Sequence, residues 1–490
     1  MLYIGADLGT SGLKMILMDE KGKIQASVTE KYPVFYPHSG WSEQNPTDWA
    51  DALIRGINNL THGVDKSQIK AIGIDGQMHG LIMLDDGYEV IRPAILWNDT
   101  RTSKEVAYLN EEIGEDKITA YTGNIAFAGF TAPKVLWVKE NEPDNFKKIR
   151  SILLPKDYLN FNLTGNLTTD LSDASGMLLL DVKNKKWSDE MIDLCGLKSE
   201  VLPKLYESTE VIGTLTERIS ELTGLSKDVA VVAGAGDNAA AAIGAGTVGY
   251  GKCNISIGTS GTVFVVSDKF KEGKNNAVHN FVHSDGNYHF LGCMLSAASC
   301  IDWWMKTLNT QDYEEEQSKI TALGDNRILF LPYLMGERSP HNDENARGAF
   351  LGLSLTTSRA DMTQAVLEGV AFALKDSLEI IEDAGVTVDY STLCGGGAKS
   401  ELWQRILANV LDIEIGILEN EEGPALGSAL LAAVGSGLFP DIETACREIV
   451  KIKKTIKPEK ETVKKYKELY EIYKKGYYSV KAINDSLSKI

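Results

Sequence analysis

The fold is indicated by a stretch of five residues that occurs twice. Leu8-Gly9-Thr10-Ser11-Gly12 recurs 249 residues later, about half of the chain, as Ile257-Gly258-Thr259-Ser260-Gly261. Apolar runs typical of strands flank each copy, so each copy is predicted to be the turn of a β-hairpin. A glycine-rich turn can recur by chance, but the symmetric placement favours two related halves.

The segments around the two turns alternate between strand-like and helix-like patterns. Residues 70–74 and 228–232 are short apolar runs, and residues 359–378 carry apolar side chains at helical spacing. Segments of both kinds in each half predict α/β domains with mixed sheets. The glycine-rich run at 244–252 sets the predicted boundary and gives two domains, 1–246 and 247–490.

The composition is that of a globular protein that is not expected to bind nucleic acid. The 490 residues suffice for two to four domains of roughly 100–200 residues each. The net charge of −18 opposes binding to a phosphate backbone. The six cysteines show neither a C-x-x-C pair nor metal-ligand spacing, so they are expected to be reduced thiols of a cytoplasmic protein.

The chain is also not expected to bind or cross a membrane. The first residues lack a basic leader and reach an acid at Asp7, which favours a first strand over a signal peptide. The longest uncharged run, which begins at Gly423, is interrupted by glycine and proline and is short for a span. The last 40 residues carry 12 lysines and 5 acids. Their predicted amphipathic helix is open to binding an anionic membrane, but packing on the acidic body is favoured.

The two Gly-Thr-Ser-Gly turns are candidate phosphate sites. Small residues let backbone N–H groups approach an anion closely, and the hydroxyls add donors. Asp7 beside the first turn makes sense only with a cation between it and the phosphate, which predicts Mg²⁺ held through water. The candidate ATP-binding residues are Gly9, Thr10, Ser11 and Lys14 in the first half, and Gly258, Thr259, Ser260 and Gly261 in the second.

The stretch Gly234-Ala235-Gly236-Asp237-Asn238-Ala239 allows more than one interpretation. It fits the G-x-G-x-x-A pattern of dinucleotide-binding proteins. That interpretation is disfavoured because Asp237 would face the pyrophosphate without a cation. A carboxylate on a glycine-rich turn at a strand end instead suits a general base. A cap for the following helix remains the alternative.

Polar and aromatic residues elsewhere in the first half suit a sugar. Gln77 and His79 offer hydrogen bonds and Met78 an apolar contact, although a structural histidine is equally open. Trp97 and Asp99 add an aromatic face and a carboxylate beside an arginine, a combination found in sugar sites and also in surface turns.

In the second half, a glycine-rich turn precedes a predicted helix. Residues 394–400 lack the G-x-x-x-x-G-K-[ST] pattern of a P-loop. A turn in which Gly396 and Gly397 let a nucleoside lie against the backbone is favoured. The histidines at 279, 283 and 289 lack partners at metal-ligand spacing and are expected to be structural.

Taken together, these segments resemble the FGGY carbohydrate kinases over nearly the whole chain. The resemblance is specific because many unrelated segments agree in order. The matching segments are 129–137 and 348–368, which carry the two family signatures, and 41–44, 76–80, 95–99, 154–159, 172–176 and 330–338.

The resemblance implies two ribonuclease-H-like domains of the actin/hexokinase type with an active-site cleft between them, the sugar bound mainly by the first and ATP by the second. It implies that Asp237 is the catalytic base, that Asp7 lies near Mg²⁺ and that Met78 and His79 bind sugar. The further residues that it implies are Gln77, Trp97, Asp99 and Asn238 near the sugar, Thr259, Ser260 and Gly261 near phosphate, and Gly396, Gly397 and Asn409 near the nucleoside.

The activity implied is ATP-dependent phosphorylation of D-xylulose, with D-ribulose, another ketose or a polyol as alternatives. An ATP-driven interaction protein of the actin or chaperone type would share the two phosphate turns without needing a sugar site. A dinucleotide-dependent oxidoreductase is the other rival. A homodimer, the commonest symmetric assembly, is one expected oligomeric state.

Overall fold

The computed structural model describes residues 1–271, 276–420 and 422–489, which form two compact units. The first unit comprises Met1–Val248, Asn280–Tyr288 and Glu422–Val450. The second unit comprises the other described residues. The sequence predicted two domains that divide once, between residues 246 and 247. The first compact unit also contains two later segments, Asn280–Tyr288 and Glu422–Val450, so the predicted boundary stays a proposal.

A mixed sheet forms the centre of the first unit. Its strands, in chain order, are β1 (Leu2–Leu8), β2 (Gly12–Asp19), β3 (Ile24–Lys31), β4 (Ile69–Gly76), β5 (Val211–Thr214) and β6 (Ala230–Val232). Their spatial order is β5-β6-β4-β1-β2-β3. β1 is antiparallel to β2 and parallel to β4. A short strand, Ala235–Gly236, pairs with the end of β4.

The second unit contains a sheet of the same design. Its strands are β7 (Cys253–Ile257), β8 (Gly261–Ser267), β9 (Tyr288–Met294), β10 (Tyr390–Cys394), β11 (Glu414–Leu418) and β12 (Ile452–Ile456). Their order is β9-β8-β7-β10-β11-β12. β7 is antiparallel to β8 and parallel to β10. Each of these strands therefore has a counterpart in the first sheet, which confirms the predicted repeat and the mixed sheets.

The two repeated turns close their hairpins differently. In the first, Leu8 pairs with Leu13, and the Gly9 N–H donates to the Gly12 carbonyl at 3.1 Å. In the second, Ile257 pairs with Gly261, one residue earlier in the repeat. The loop between the paired residues is therefore one residue shorter in the second hairpin than in the first, although both turns have the sequence Gly-Thr-Ser-Gly.

Helices cover the sheets of both units. The helices of the first unit are Pro46–Leu60, Ser103–Ala107, Glu115–Thr122, Thr131–Asn141, Pro143–Phe146, Pro155–Thr164, Leu171–Ala174, Asp189–Cys195, Glu217–Thr223, Asp237–Gly244, Gly423–Gly435 and Ile442–Ile449. Those of the second are Ala298–Thr307, Tyr313–Ser318, Arg359–Asp383, Glu401–Leu411, Lys460–Tyr473 and Gly476–Leu487.

Short strand pairs extend the framework. In the first unit they are Glu43–Gln44 with Ala94–Ile95, Ile82–Leu84 with Ser151–Leu153, Leu180–Asp181 with Lys186–Trp187, and Thr168–Asp170 with Lys204–Tyr206; in the second, Leu329–Leu331 with Ala349–Leu351. The strand His279–Val282 crosses the division between the units.

Glycines in two central strands let a late helix join the first unit. A Cβ atom at Gly5 would lie 2.0 Å from the Ala425 carbonyl oxygen, and one at Gly73 would lie 2.1 Å from that of Ser428. Only glycine allows the helix Gly423–Gly435 to approach β1 and β4 this closely. Its small side chains are buried against both strands.

The lysine-rich C-terminal segment packs within the second unit, as favoured from the sequence. The helix Lys460–Tyr473 buries one apolar face of Val463, Tyr466, Leu469, Tyr470 and Tyr473. Four of these residues join the hydrophobic core of that unit. Among the described residues, no helix combines the length and apolar character needed to cross a membrane.

Candidate active site

Two carboxylates meet where β1 and β4 run side by side. Asp7 and Asp75 are neighbours in the parallel register, and the Ser428 hydroxyl donates to Asp75 Oδ2 at 2.6 Å. Burial, followed by the charge of Asp7, raises the pKa of Asp75. Burial also raises the pKa of Asp7, to about 6, against the lowering effects of a hydrogen bond with Asp75 and the charge of Lys14. Each of the two carboxyl groups therefore ionises less readily than an exposed aspartate.

Asp237 stands at the start of a helix that directly follows the short strand Ala235–Gly236. Its Oδ1 atom accepts the N–H of Asn238 at 2.7 Å, whereas the cap position belongs to Gly236. The helix-cap alternative is therefore not supported. Burial, and then the charge of Asp7, raise the pKa of Asp237 to about 7. A carboxyl group that is partly ionised near neutral pH suits proton transfer.

The first repeated turn contacts the predicted sugar residues. The Thr10 hydroxyl donates to Gln77 Oε1 at 3.1 Å and accepts from Trp97 Nε1 at 3.0 Å. Gln44, which the sequence analysis did not single out, accepts from Gln77 Nε2 and donates to the Thr10 carbonyl. Trp97 is 41% exposed, so an aromatic face is available beside this network. Gln44 lies in one of the segments that carry the family resemblance.

Met78 and His79 lie next to the residues around Asp237. Met78 Sδ is 3.9 Å from Asn238 Nδ2. His79 has a left-handed backbone with φ of 71°, and its Nδ1 atom lies 2.7 Å from the Gly176 carbonyl oxygen. The His79 ring packs on Phe130 at 4.8 Å between centroids. The structure thus brings three of the predicted sugar-binding residues to the carboxylate site.

A buried lysine that the sequence analysis did not assign supports His79. Lys134 Nζ donates to the His79 carbonyl at 2.9 Å, and also to the Gly129 carbonyl. Burial lowers its pKa to about 7. The family signature contains this lysine, but nothing in its spacing reveals the contact with residue 79.

Asp99 has contacts other than those predicted for a sugar ligand. Its side chain is buried, Oδ2 accepts the Ser42 N–H at 2.6 Å, and both oxygens accept from Arg101. Arg101 lies over the Trp41 ring at 3.6 Å from its centroid. With every side of the carboxylate occupied, the contacts support a role in holding the loop that presents Trp97.

Lys14 is paired within its own unit. Its Nζ atom lies 2.6 Å from Glu422 Oε2, and the register of β1 and β2 places it opposite Asp7. The N–H groups of Thr10 and Ser11, at the tip of the neighbouring turn, donate to no group in the described residues. These two N–H groups are available to bind an anion, whereas the lysine is already paired with Glu422.

The second unit holds a cavity of about 970 Å³ around its own repeated turn. The predicted residues Gly258, Thr259, Gly396 and Gly397 all line it. The other lining residues are Ala298, Ile301, Asp302, Tyr313, Glu314, Gln317, Ser318, Lys399, Ser400, Glu401, Leu402 and Trp403. The volume lies in the range of cavities that bind small molecules.

The glycines shape one wall of this cavity. A Cβ atom at Gly396 would meet no atom within 4 Å, whereas one at Gly397 would lie 2.5 Å from the Ile257 side chain. The N–H groups of Thr259 and Ser260 donate to no group in the part of the chain that the structure describes. A flat group can thus approach the backbone at residue 396 while an anion meets the turn.

Asn409 does not line the cavity. It is buried, its Oδ1 atom accepts the Glu459 N–H at 2.7 Å, and its Nδ2 atom donates to the Arg405 carbonyl. The bond to Glu459 connects the helix Glu401–Leu411 to the start of the helix Lys460–Tyr473, whereas the bond to Arg405 lies within the first helix. The predicted nucleoside contact is not supported by this arrangement. Tyr313 and Gln317 line the cavity but were not predicted, because they belong to no recognisable motif.

No cluster of three or more His, Cys, Asp or Glu residues able to hold a metal ion occurs among the described residues. The six cysteines have free thiols. Burial lowers the pKa of His279 to about 3, so this histidine is neutral at physiological pH.

Comparisons with known proteins agree on one family. The N-terminal domain of the FGGY family of carbohydrate kinases matches residues 2–244, and its C-terminal domain matches residues 253–436. The xylulose kinase of Escherichia coli K12 is 42% identical over 442 residues, which are 89% of this chain and 90% of that protein.

Solved structures resemble both units. A protein from Brucella ovis described as a xyloylose kinase has a TM-score of 0.94 at 40% identity and covers 99% of this chain and 100% of its own. A gluconate kinase from Lactobacillus acidophilus also reaches a TM-score of 0.94, at 27% identity, with coverage of 99% and 100%.

Proposed function

The chain belongs to the FGGY family of carbohydrate kinases, and we propose that it transfers the γ-phosphoryl group of ATP to D-xylulose, forming D-xylulose 5-phosphate in xylose metabolism. The observation that carries the proposal is the position of Asp237. This half-buried carboxyl group has a pKa near 7, and its neighbour Asn238 lies beside Met78.

The chemistry assigned to Asp237 is general-base catalysis. Its carboxylate accepts the proton of the C5 hydroxyl as that oxygen forms a bond to the γ-phosphorus. The bond between the γ-phosphorus and the β,γ-bridging oxygen breaks in line, and ADP leaves. Since phosphoryl transfer depends mainly on positioning and on neutralised charge, one base and two sets of phosphate donors form a sufficient apparatus.

Each of the two repeated turns offers donors that suit a phosphate. Thr10 and Ser11 in the first unit, and Thr259 and Ser260 in the second, each offer an N–H group without a partner among the described residues. The nucleoside is assigned to the cavity of the second unit, against Gly396. Lys14 would reach a phosphate only by leaving Glu422, so its predicted ATP contact is the least supported of the set.

A magnesium ion fits the carboxylates of the first unit. Asp75 Oδ1 is buried and has no conventional donor, and Lys14 is the cation opposite Asp7 in the hairpin register. Mg²⁺ usually keeps several waters and binds one or two carboxylates plus substrate phosphates, so it does not need a full cage of protein ligands. Asp7 would hold the ion through water. When bound, the ion neutralises phosphate charge.

D-Xylulose is favoured over other sugars by the relatives. The E. coli xylulose kinase is 42% identical over most of this chain. The gluconate kinase fold match is equally close at lower identity, so the fold alone does not select the sugar. Met78, His79 and Gln77 set the shape of the proposed pocket, and D-ribulose, another ketose or a polyol are the alternatives to compare.

The two rival classes have less support. A dinucleotide-dependent oxidoreductase would place a pyrophosphate against Asp237. The charge of Asp7 already raises the pKa of Asp237, so a further anion at this position would be repelled. An actin-like or chaperone-like ATPase has no use for the network of Gln77, Thr10 and Trp97. A cytoplasmic location agrees with the free cysteines. A homodimer is the proposed assembly, on symmetry grounds alone, and light scattering measures it.

Release of ADP in the presence of a panel of pentuloses, gluconate and polyols tests the function. We expect D-xylulose to give the highest kcat/KM. The variant Asp237→Asn should lose roughly 10²–10⁴-fold in kcat while its affinity for ATP, measured by calorimetry, stays the same. Near wild-type turnover in this variant would remove Asp237 from the role of base.

A further inference from the structure

A buried serine contacts the strand that leads into Asp237. The Gly236 N–H donates to Ser172 Oγ at 3.1 Å, and the Ser172 hydroxyl donates to Asp170 Oδ2 at 2.5 Å. Ser172 is 1% exposed and Asp170 is fully buried. Because Gly236 immediately precedes Asp237, this pair of bonds fixes the backbone from which the carboxylate projects.

Asp170 is itself held by several donors. Its Oδ1 atom lies 2.9 Å from Lys156 Nζ, and its Oδ2 atom also accepts from the Ser172 N–H and the Ser208 hydroxyl. Burial lowers the pKa of Lys156, but the charges of Asp157, Asp170 and Asp173 outweigh it and raise the pKa, so the lysine is a cation. Because so many donors hold the Asp170 carboxylate, it rigidly orients the Ser172 hydroxyl, from which it accepts a hydrogen bond.

The other side of Gly236 is also restrained. A Cβ atom at Gly236 would lie 2.9 Å from Met78 Sδ, so Met78 packs directly against this backbone. In the sheet, Gly236 pairs with Gly76 at the end of β4. The strand end is thus enclosed by Ser172, Met78 and β4, and the only side-chain hydrogen bond to its backbone comes, among the described residues, from Ser172.

We propose that Ser172 is a positioning residue for the catalytic base. Its hydroxyl, oriented by Asp170 and through it by Lys156, holds Gly236 so that the Asp237 carboxylate faces the sugar hydroxyl. The inference rests on the proposed function, because it takes Asp237 as the base. Ser172 acts on the reaction only through the backbone of residues 236 and 237.

Ser208 provides a matched control within the same cluster. Its hydroxyl donates to the same atom, Asp170 Oδ2, at 2.9 Å, and it is 2% exposed. Its bond to the neighbouring backbone uses the Ser208 carbonyl, which accepts the Gly234 N–H and is retained in an alanine variant. Ser208→Ala therefore removes one hydroxyl from Asp170 without releasing Gly236.

The experiment compares steady-state kinetics and thermal unfolding of the full chain with Ser172→Ala or Ser208→Ala. Both variants should melt at lower temperatures than wild type. Only Ser172→Ala should lose kcat, by roughly tenfold or more, because misplacement of a reacting group by about 1 Å can cost roughly 10²-fold. Its KM values for sugar and ATP should remain near those of wild type, since the sugar and nucleotide contacts are intact.

Two outcomes would overturn the proposal. One is a wild-type kcat in Ser172→Ala, and the other is an equal loss of kcat in the two variants. Should Ser172→Ala be too unstable to assay, Ser172→Cys fills the same volume with a weak acceptor, and the same loss of kcat is expected. Asp237→Asn is measured in parallel. If wild type releases no ADP with any sugar of the panel, the proposed function fails; if Asp237→Asn keeps its turnover, Asp237 is not the base. If Asp237→Asn is inactive while Ser172→Ala matches wild type, only the positioning role fails.

Discussion

The pH dependence of the reaction should reveal the unusual environment of Asp237. An unperturbed aspartate has a pKa near 3.8, whereas burial and the charge of Asp7 raise that of Asp237 to about 7. A general base works only when ionised, so kcat/KM should rise with pH through this range. The other carboxylates that interact with Asp237 are Asp75 and Asp173, and both have raised pKa values themselves.

The size of the effect follows from the ionised fraction. With a pKa of about 7, about 91% of Asp237 is ionised at pH 8 and about 9% at pH 6, a roughly tenfold difference. With an unperturbed pKa, the ionised fraction exceeds about 99% at both values, and activity would not change. The predicted drop in kcat/KM from pH 8 to pH 6 is thus close to an order of magnitude.

The assay is kcat/KM for the sugar between pH 5 and pH 9 at saturating ATP, since this parameter reports the ionisation of the enzyme before the sugar binds. Asp7 also has a raised pKa, near 6. Carbon NMR titration of the aspartate carboxyl groups in wild type and Asp237→Asn separates the two. Asp376 also has a pKa of about 7, so the test is whether one aspartate titration near pH 7 disappears in Asp237→Asn. A profile that is flat from pH 6 to pH 8, or aspartate titrations near pH 7 that are the same in wild type and Asp237→Asn, would refute the assignment.

Two further predictions concern the folded state. Gly5→Ala should destabilise the chain by about 1–3 kcal/mol or more, because its Cβ would lie 2.0 Å from the Ala425 carbonyl oxygen. The control is Gly396→Ala, whose Cβ meets open space and which should unfold in urea like wild type. Equal unfolding of both variants would contradict the packing argument. Asp376 has a pKa raised to about 7 by burial, so the folded state holds a proton that the unfolded state releases, and this contribution to stability is lost as pH rises from about 4 to about 7. Asp376→Asn should therefore reduce the fall in melting temperature between pH 5 and pH 8, and an unchanged pH dependence would show that the carboxyl group is not protonated.

Much of the fold could be predicted because it is recorded in local patterns. The repeated turn predicted two hairpins, and the mixed sheets follow from short apolar strands alternating with helical periodicity. The amphipathic pattern of the C-terminal helix predicted its burial correctly. These features depend on residues close in sequence, whose spacing alone fixes which face is apolar.

The structure brings predicted site residues together where a motif combines polar groups with a turn. Asp237, Met78 and Asn238 come together as expected, and so do Gly258 and Gly396 around the cavity of the second unit. Asp99 and Asn409 show the limit of this approach. Asp99 belongs to a matching segment, and Asn409 was assigned through the family resemblance. Whether either side chain faces a ligand or a neighbouring backbone depends on partners such as Arg101 and Glu459, which the resemblance does not specify.

The sequence by itself determined the elements, the duplicated design and the family, since each is carried by spacing within short segments or by many segments in order. Tertiary structure decided which charges meet. Asp7, Asp75 and Asp237 are far apart in the chain and acquire shifted pKa values only because the sheet buries them together. The support of Asp237 by Ser172 and the pairing of Lys14 with Glu422 likewise arise across long separations. Desolvation and Coulomb interaction depend on distance in space, which no spacing along the chain expresses.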